Sequence, residues 1–278
     1  MGVIDTRKWI DEIYFPENNS RNKFTNVIEK QLMKHLKKLK REEWLGFLYQ
    51  QGMLPIDERT VNDWKEWAEN CLYEEISDKF AMLQELFDGP DVDVFLFPIN
   101  DENSKLMETM RGKNGVTFPG LILLFFHAEL DIKEIYALLI HEYHHACRLN
   151  YQKYTEDTIP LLESIVMEGL AEWEVNRLMG ESYVTPWMTL YDDALLLNWW
   201  KQKIDIKQKL LGRKSQLIYL YGGKFGYPNW LGYTIGYRMV ESSLENSADI
   251  LHPKQLLRKK SEEILRESVF YKDISSLE

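Results

Sequence analysis

The sequence predicts an α+β protein, mostly helical, built around a small sheet with an exposed edge. Three observations carry that expectation. The chain of 278 residues is 45% hydrophobic with 9 Trp, 15 Tyr and 12 Phe, enough apolar material for a substantial core. Helical periodicity dominates on both sides of residues 91–126. Strand-like alternation is confined to that interval.

In chain order, residues from about 19 to 51 carry a helical stripe of Phe24, Val27, Ile28, Leu32, Leu36 and Leu39. Lys34, Lys37, Lys38, Lys40 and Arg41 interleave with it and read as a solvated face rather than an anion site. Pro55 interrupts, and a second helical stretch runs from about 57 to 87 through Trp64, Trp67, Leu72, Ile76, Phe80 and Leu83. Asp88-Gly89-Pro90 stops it. Residues 1–90 thus form an N-terminal helical region, with no flexible linker at its border. Beyond it, Val92, Val94 and Leu96 alternate with Asp93, Phe95 and Phe97 as a strand. Gly112 to Gly115 reads as a turn, and 116–126 as a strand segment that Pro119-Gly120 splits, which makes it an edge or a bulge. Further helices are expected at about 131–151, 158–179, 191–211, 231–246 and 253–268.

The net charge of −10 and sequence pI near 5.3 argue against a nucleic-acid-binding surface. Cys71 and Cys147 are the only cysteines, too few for a disulfide framework or a cysteine zinc site, and this usage suits a reducing cytoplasm. The first residues carry charges where a secretory signal needs an apolar stretch, Gly2 lies in no clear myristoylation context, and the longest apolar runs fall far short of a membrane span. A cytoplasmic protein is expected, with nothing to define its oligomeric state.

The chemistry concentrates in His141-Glu142-Tyr143-His144-His145. Asp131 with Glu134 resembles a capping box, so a helix is expected to start there. On it His141 and His145 lie one turn apart, so their rings converge on one ion, and His-Glu-x-x-His on a helix is the metalloprotease arrangement. Glu142 lies on the adjoining face, in reach of a metal-bound water without being a ligand. A tetrahedral zinc with one open position needs a third protein ligand. The helix 161–173 supplies Glu168 and Glu172 on one face, with Glu163 pointing away and the small Gly169 and Ala171 allowing close approach to the histidine helix. Glu168 is assigned as the ligand and Glu172 as acceptor for the other nitrogen of a ligand histidine. The reverse assignment stays open.

These strings, HEYHHACR, then LLESIVMEGLAEW, then GYTIGYR, resemble the YjaZ-like group of predicted zinc-dependent proteases, of the gluzincin type. The resemblance runs from about Gly115 to the C-terminus. It implies a zincin-like metallopeptidase domain over 91–278, Zn2+ held by His141, His145 and Glu168, and Glu142 as the catalytic glutamate. The gap to the third ligand differs somewhat from better-known gluzincins, and no amine-binding motif precedes the helix, so aminopeptidase activity is not implied.

The expected reaction is attack on a peptide carbonyl by a metal-activated water, with Glu142 as general base and then proton donor to the leaving amine. An oxyanion donor is also needed, and Tyr233, ahead of Tyr237 one turn on, is the candidate, against the alternative that both are core aromatics. His144, an alternative ligand by type, is displaced by about 100° from His145 and reads as a hydrogen-bonding or packing residue; His127 and His252 read as structural. The strand around 116–124 is expected to pair with an extended peptide or protein substrate. Rival readings are a zinc hydrolase of a non-peptide amide or ester, and a non-catalytic interaction protein stabilised by zinc.

Overall fold

The computed structural model describes residues 2–12, 23–36, 40, 43–245 and 252–271. Of the basic face read along the first helix, Lys37, Lys38 and Arg41 lie outside these residues, as does Leu39 of its apolar stripe. The protein is a mostly helical α+β fold with one four-stranded sheet. It divides into two compact units: Met1–Glu85 with Gly89–Ala146, and Leu86–Asp88 with Cys147–Glu278.

The first unit contains β1 (Gly2–Ile4), α1 (Lys23–Leu32), α2 (Trp44–Gln50), α3 (Val61–Asn70), most of α4 (Tyr73–Phe87), β2 (Asp93–Pro98), α5 (Ser104–Glu108), β3 (Lys113–Phe118), β4 (Leu121–Phe126) and most of α6 (Ile132–Gln152). Sheet order is β1-β2-β4-β3, with β1, β2 and β4 parallel and β3 antiparallel to β4. The central strands read Val94-Phe95-Leu96-Phe97 and Leu121 to Phe126, buried throughout. Continuous apolar runs of this kind are what parallel strands covered on both faces require. Phe97 stacks on Phe95 and, across the strands, on Phe125, while Trp67 packs against Phe126 and donates its indole N–H to the Phe126 carbonyl. Strand β1 is too short to read from alternation. It is held by tertiary bonds instead: the Tyr73 hydroxyl donates to the Val3 carbonyl and the Thr6 hydroxyl to the Leu96 carbonyl.

The sheet corrects one expectation. Pro119-Gly120 is a two-residue hairpin turn between β3 and β4, with Gly120 at φ +77°, while Lys113 to Gly115 begin β3 rather than forming a turn. Proline presets the first turn position and glycine supplies the positive φ of the second. Strand β3 is the edge, so of the stretch 116–124 only Val116–Phe118 is edge strand and Leu121–Leu124 are central.

The 57–87 stretch is two helices rather than one. Cys71 turns extended at ψ 115°, its carbonyl accepts bonds from Arg7 Nη1 and the Tyr73 N–H, and Leu72 falls out of the apolar stripe to 41% exposure.

The second unit holds the end of α6, α7 (Leu161–Met179), 3-10 turns at Glu181–Tyr183 and Pro186–Thr189, α8 (Asp193–Trp199), α9 (Arg213–Tyr221), α10 (Leu231–Glu245), α11 (Pro253–Arg258) and α12 (Ser261–Glu267). The helix expected over 191–211 is α8 followed by a π turn at Trp200–Ile204 and a 3-10 turn at Asp205–Lys207. The one expected at 253–268 is split in two at Lys259-Lys260, where both residues are extended and Arg148 Nη1 takes up the carbonyls of Leu256, Leu257 and Lys259.

Helix α7 is the axis of this unit, buried on nearly every side. It meets α10 backbone to backbone: a Cβ on Gly169 would lie 2.1 Å from the Gly236 carbonyl oxygen, and one on Gly236 2.1 Å from that of Ile165. Only glycine permits that approach. Gly169, expected to open α7 toward the histidine helix, thus makes its close contact with α10.

Candidate metal centre

Asp131 starts α6 by accepting the Lys133 N–H at 2.8 Å. Glu134, expected to complete a capping box, instead pairs with Lys113 Nζ at 2.6 Å, which also donates to the Glu134 carbonyl. Two turns further on, the rings of His141 and His145 lie edge to face with centroids 4.4 Å apart, as i, i+4 neighbours on a helix should. His145 is buried and His141 half-buried.

Glu142 is 6% exposed and lies under β3. Its Oε2 accepts the Thr117 hydroxyl at 2.7 Å, and that hydroxyl is also 2.9 Å from the Glu142 carbonyl oxygen. The space it occupies exists because residue 115 is glycine: a Cβ there would stand 2.5 Å from Glu142 Cγ and Oε1.

On α7, Glu163, Glu168, Glu172 and Glu174 are all buried, an expensive set of charges unless each is partnered. Arg148 takes Glu163 in a bidentate pair at 2.7 and 2.9 Å, and Arg177 takes Glu174. Glu172 Oε2 accepts the Thr185 N–H at 2.9 Å. Glu168 Oε1 accepts from Arg213 Nη2 at 2.8 Å.

Arg213 reaches Glu168 because the chain before α9 is tied down. The Arg213 N–H bonds to the Glu156 carbonyl and the Gly212 N–H to that of Ile159. Buried Gln216 accepts the Ser164 hydroxyl and donates to the carbonyls of Ile159 and Leu210. Burial opposes the charge on Arg213, but the Glu168 carboxylate outweighs it and holds the guanidinium above its usual range. Sequence reasoning missed both Arg213 and α9, whose apolar pattern is weak. It missed Thr117 as well, since no motif marks it.

Tyr233, on α10 one turn before Gly236, is buried and donates its hydroxyl to that of Tyr221 at 3.1 Å. Burial, and then the nearby Glu168 carboxylate and Tyr221, push its hydroxyl well above the ordinary range, so it stays protonated. Tyr237 faces elsewhere and accepts from Asn176 Nδ2 at 2.9 Å. His252 caps α11 through a reciprocal box with Gln255, and His127 accepts the Glu129 N–H; among the described residues, neither joins a cluster of donors that could hold a metal ion.

Among the described residues, the His, Cys, Asp and Glu side chains grouped as a metal site requires are His141, His145 and Glu168, whose donor atoms all lie within 4.8 Å of one another. His144 and Glu172 are outside that group. Two imidazoles and one carboxylate suit a divalent transition metal, zinc above all, and a carboxylate has lone pairs enough to serve both Arg213 and an ion. Fold and donor set together describe a helical α+β protein with a helix-borne His, His, Glu group that could hold a metal ion. The chain belongs to the family described as "Predicted Zn-dependent protease (DUF2268)", whose profile matches residues 72–266.

The chain is 30% identical over 203 residues to the uncharacterized protein YjaZ of Bacillus subtilis (strain 168), covering 73% of this chain and 78% of that one. It is 25% identical over 208 residues to the uncharacterized protein YjfC of the same organism, covering 69% of this chain and 66% of that one. No solved structure matches significantly. No described helix is long and apolar enough to cross a membrane.

Proposed function

We propose that this protein is a zinc-dependent peptidase in which His141, His145 and Glu168 hold the ion, Glu142 is the general base and Tyr233 serves the oxyanion. The grouping of those three donors within 4.8 Å, with a buried carboxylate one residue along from His141, carries the reading. Zinc bound there supplies Lewis acidity, which polarises a carbonyl and acidifies water. Glu142 takes the proton of the attacking water and returns it to the leaving amine. Tyr233 is a protonated, buried donor beside Glu168, suited to an oxygen on which negative charge develops. The edge of β3 at Val116–Phe118 offers backbone groups for an extended peptide to pair with. Residues 91–278 serve as the peptidase domain in this reading, and 1–90 as its N-terminal helical region.

Metal analysis of the purified protein, with hydrolysis of fluorescein-labelled casein and a quenched peptide library, tests it. About one zinc per chain and chelator-sensitive cleavage are expected. Glu142→Gln retains the zinc and loses nearly all cleavage, and Tyr233→Phe retains the zinc and lowers kcat. Absence of a transition metal even after zinc is added, or full activity of Glu142→Gln, overturns the proposal.

A further inference from the structure

Strand β3 presents Lys113, Gly115 and Thr117 on one face, because alternate residues of a strand point the same way. All three meet α6. Lys113 pairs with Glu134, Gly115 leaves the space for the Glu142 side chain, and the Thr117 hydroxyl bonds Glu142 Oε2. The edge strand and the histidine-bearing helix are therefore clasped along two turns, and the clasp closes on the carboxylate next to His141. Satisfying a buried carboxylate is one use for such a hydroxyl. The pairing with Gly115 goes further, since it fixes where the rest of the carboxylate lies.

We propose that Thr117 is the positioning residue for Glu142, occupying Oε2 so that Oε1 is the oxygen that receives the proton; this rests on the reading of Glu142 as general base. Oε1 is the oxygen lying against Gly115, where a Cβ would come within 2.5 Å of it. A threonine hydroxyl has a single proton to donate, and of the two oxygens in its reach Oε2, at 2.7 Å, is nearer than the Glu142 carbonyl oxygen at 2.9 Å. A carboxyl oxygen accepts such a proton whether its partner oxygen carries a hydrogen or not. The bond therefore need not break as Glu142 gains and loses its proton. Threonine also has few χ1 rotamers, so the hydroxyl is aimed by its own β-branch.

The test uses the full-length, zinc-loaded protein with Thr117→Val, Thr117→Ser and Gly115→Ala beside Glu142→Gln, assayed on labelled casein and the peptide library. Thr117→Val keeps the shape and removes the donor; its kcat is expected to fall about 10–100-fold with KM nearly unchanged, the scale of a misplaced catalytic group. Thr117→Ser restores most of that loss, which a purely packing role for the methyl group would not produce. A second readout is independent of activity. In crystals, Glu142 holds one rotamer over Gly115 in the wild type, and is displaced in both Thr117→Val and Gly115→Ala. Wild-type kcat in Thr117→Val, or an unmoved Glu142 in its crystal structure, overturns the proposal while an inactive, zinc-replete Glu142→Gln leaves the peptidase reading standing. Full activity of Glu142→Gln removes the general base itself, and this inference with it.

Discussion

Glu168 and Glu172 lie one turn apart on α7, both buried, and their partners separate them. Glu168 is held by a guanidinium and belongs to the group of convergent donors, whereas Glu172 accepts a backbone N–H from Thr185. If Glu168 is the ligand, Glu168→Ala nearly abolishes zinc binding. If Glu172 supports a ligand from behind, Glu172→Ala lowers zinc affinity by roughly 10–100-fold. Competition titration against a chromophoric chelator measures both, and a larger loss at Glu172 reverses the assignment. Alanine suits helix interiors, so the helix itself is not weakened. At this scale the convergence of His141 with His145 is legible in the sequence, because local helical spacing brings the two rings together. The same spacing puts Glu168 and Glu172 on one face and does not choose between them, and it is the structure that groups Glu168 with the histidines. Arg213 and Thr117 were not legible, because each is defined by a partner 45 and 25 residues away on another element.

Among the elements, the C-terminal helix pair shows what long-range contacts decide. A single helix over 253–268 is what the apolar pattern predicts, yet Arg148 ends α11 by taking up its last carbonyls while its other nitrogens grip Glu163. Neither Arg148 nor Glu163 is more than 2% exposed. Removing one member of such a pair leaves a buried charge uncompensated. Arg148→Met is therefore expected to destabilise the protein by roughly 3–5 kcal/mol, and Arg148→Met with Glu163→Met by clearly less. Urea unfolding of the two variants checks this; equal losses would mean that Arg148 acts through its packing and its bonds to the α11 carbonyls rather than through Glu163. The same contrast separates α4, whose stop at Asp88-Gly89 is local, from the break at Cys71, whose carbonyl Arg7 takes up from outside the helix pattern.

For the molecule as a whole, the two cysteines report on the two units. Cys71 belongs to one and Cys147 to the other, and both are buried. Burial pushes the Cys71 thiol up to about 12, so almost none of it is thiolate near pH 8. In native protein Ellman's reagent at pH 8 is expected to label far less than one thiol per chain over minutes, and two per chain after guanidinium unfolding. Prompt native labelling of Cys71→Ala or Cys147→Ala would show which unit opens.

The amino-acid order by itself determined the mostly helical α+β class, the strand at β2, the helices α6, α7 and α10, and the residues that offer themselves to a metal. These depend on periodicity and spacing within a single element. Tertiary structure decided which turn makes the hairpin, where three long helical patterns break, which buried carboxylate each arginine neutralises, and that Gly169 and Gly236 bring Tyr233 up to Glu168. The hairpin turn is set by Pro119-Gly120 once β3 and β4 pair, and the other outcomes by contacts between residues distant in sequence. A buried charge must find a partner and a close backbone crossing must find a glycine, and the local pattern carries no record of which one.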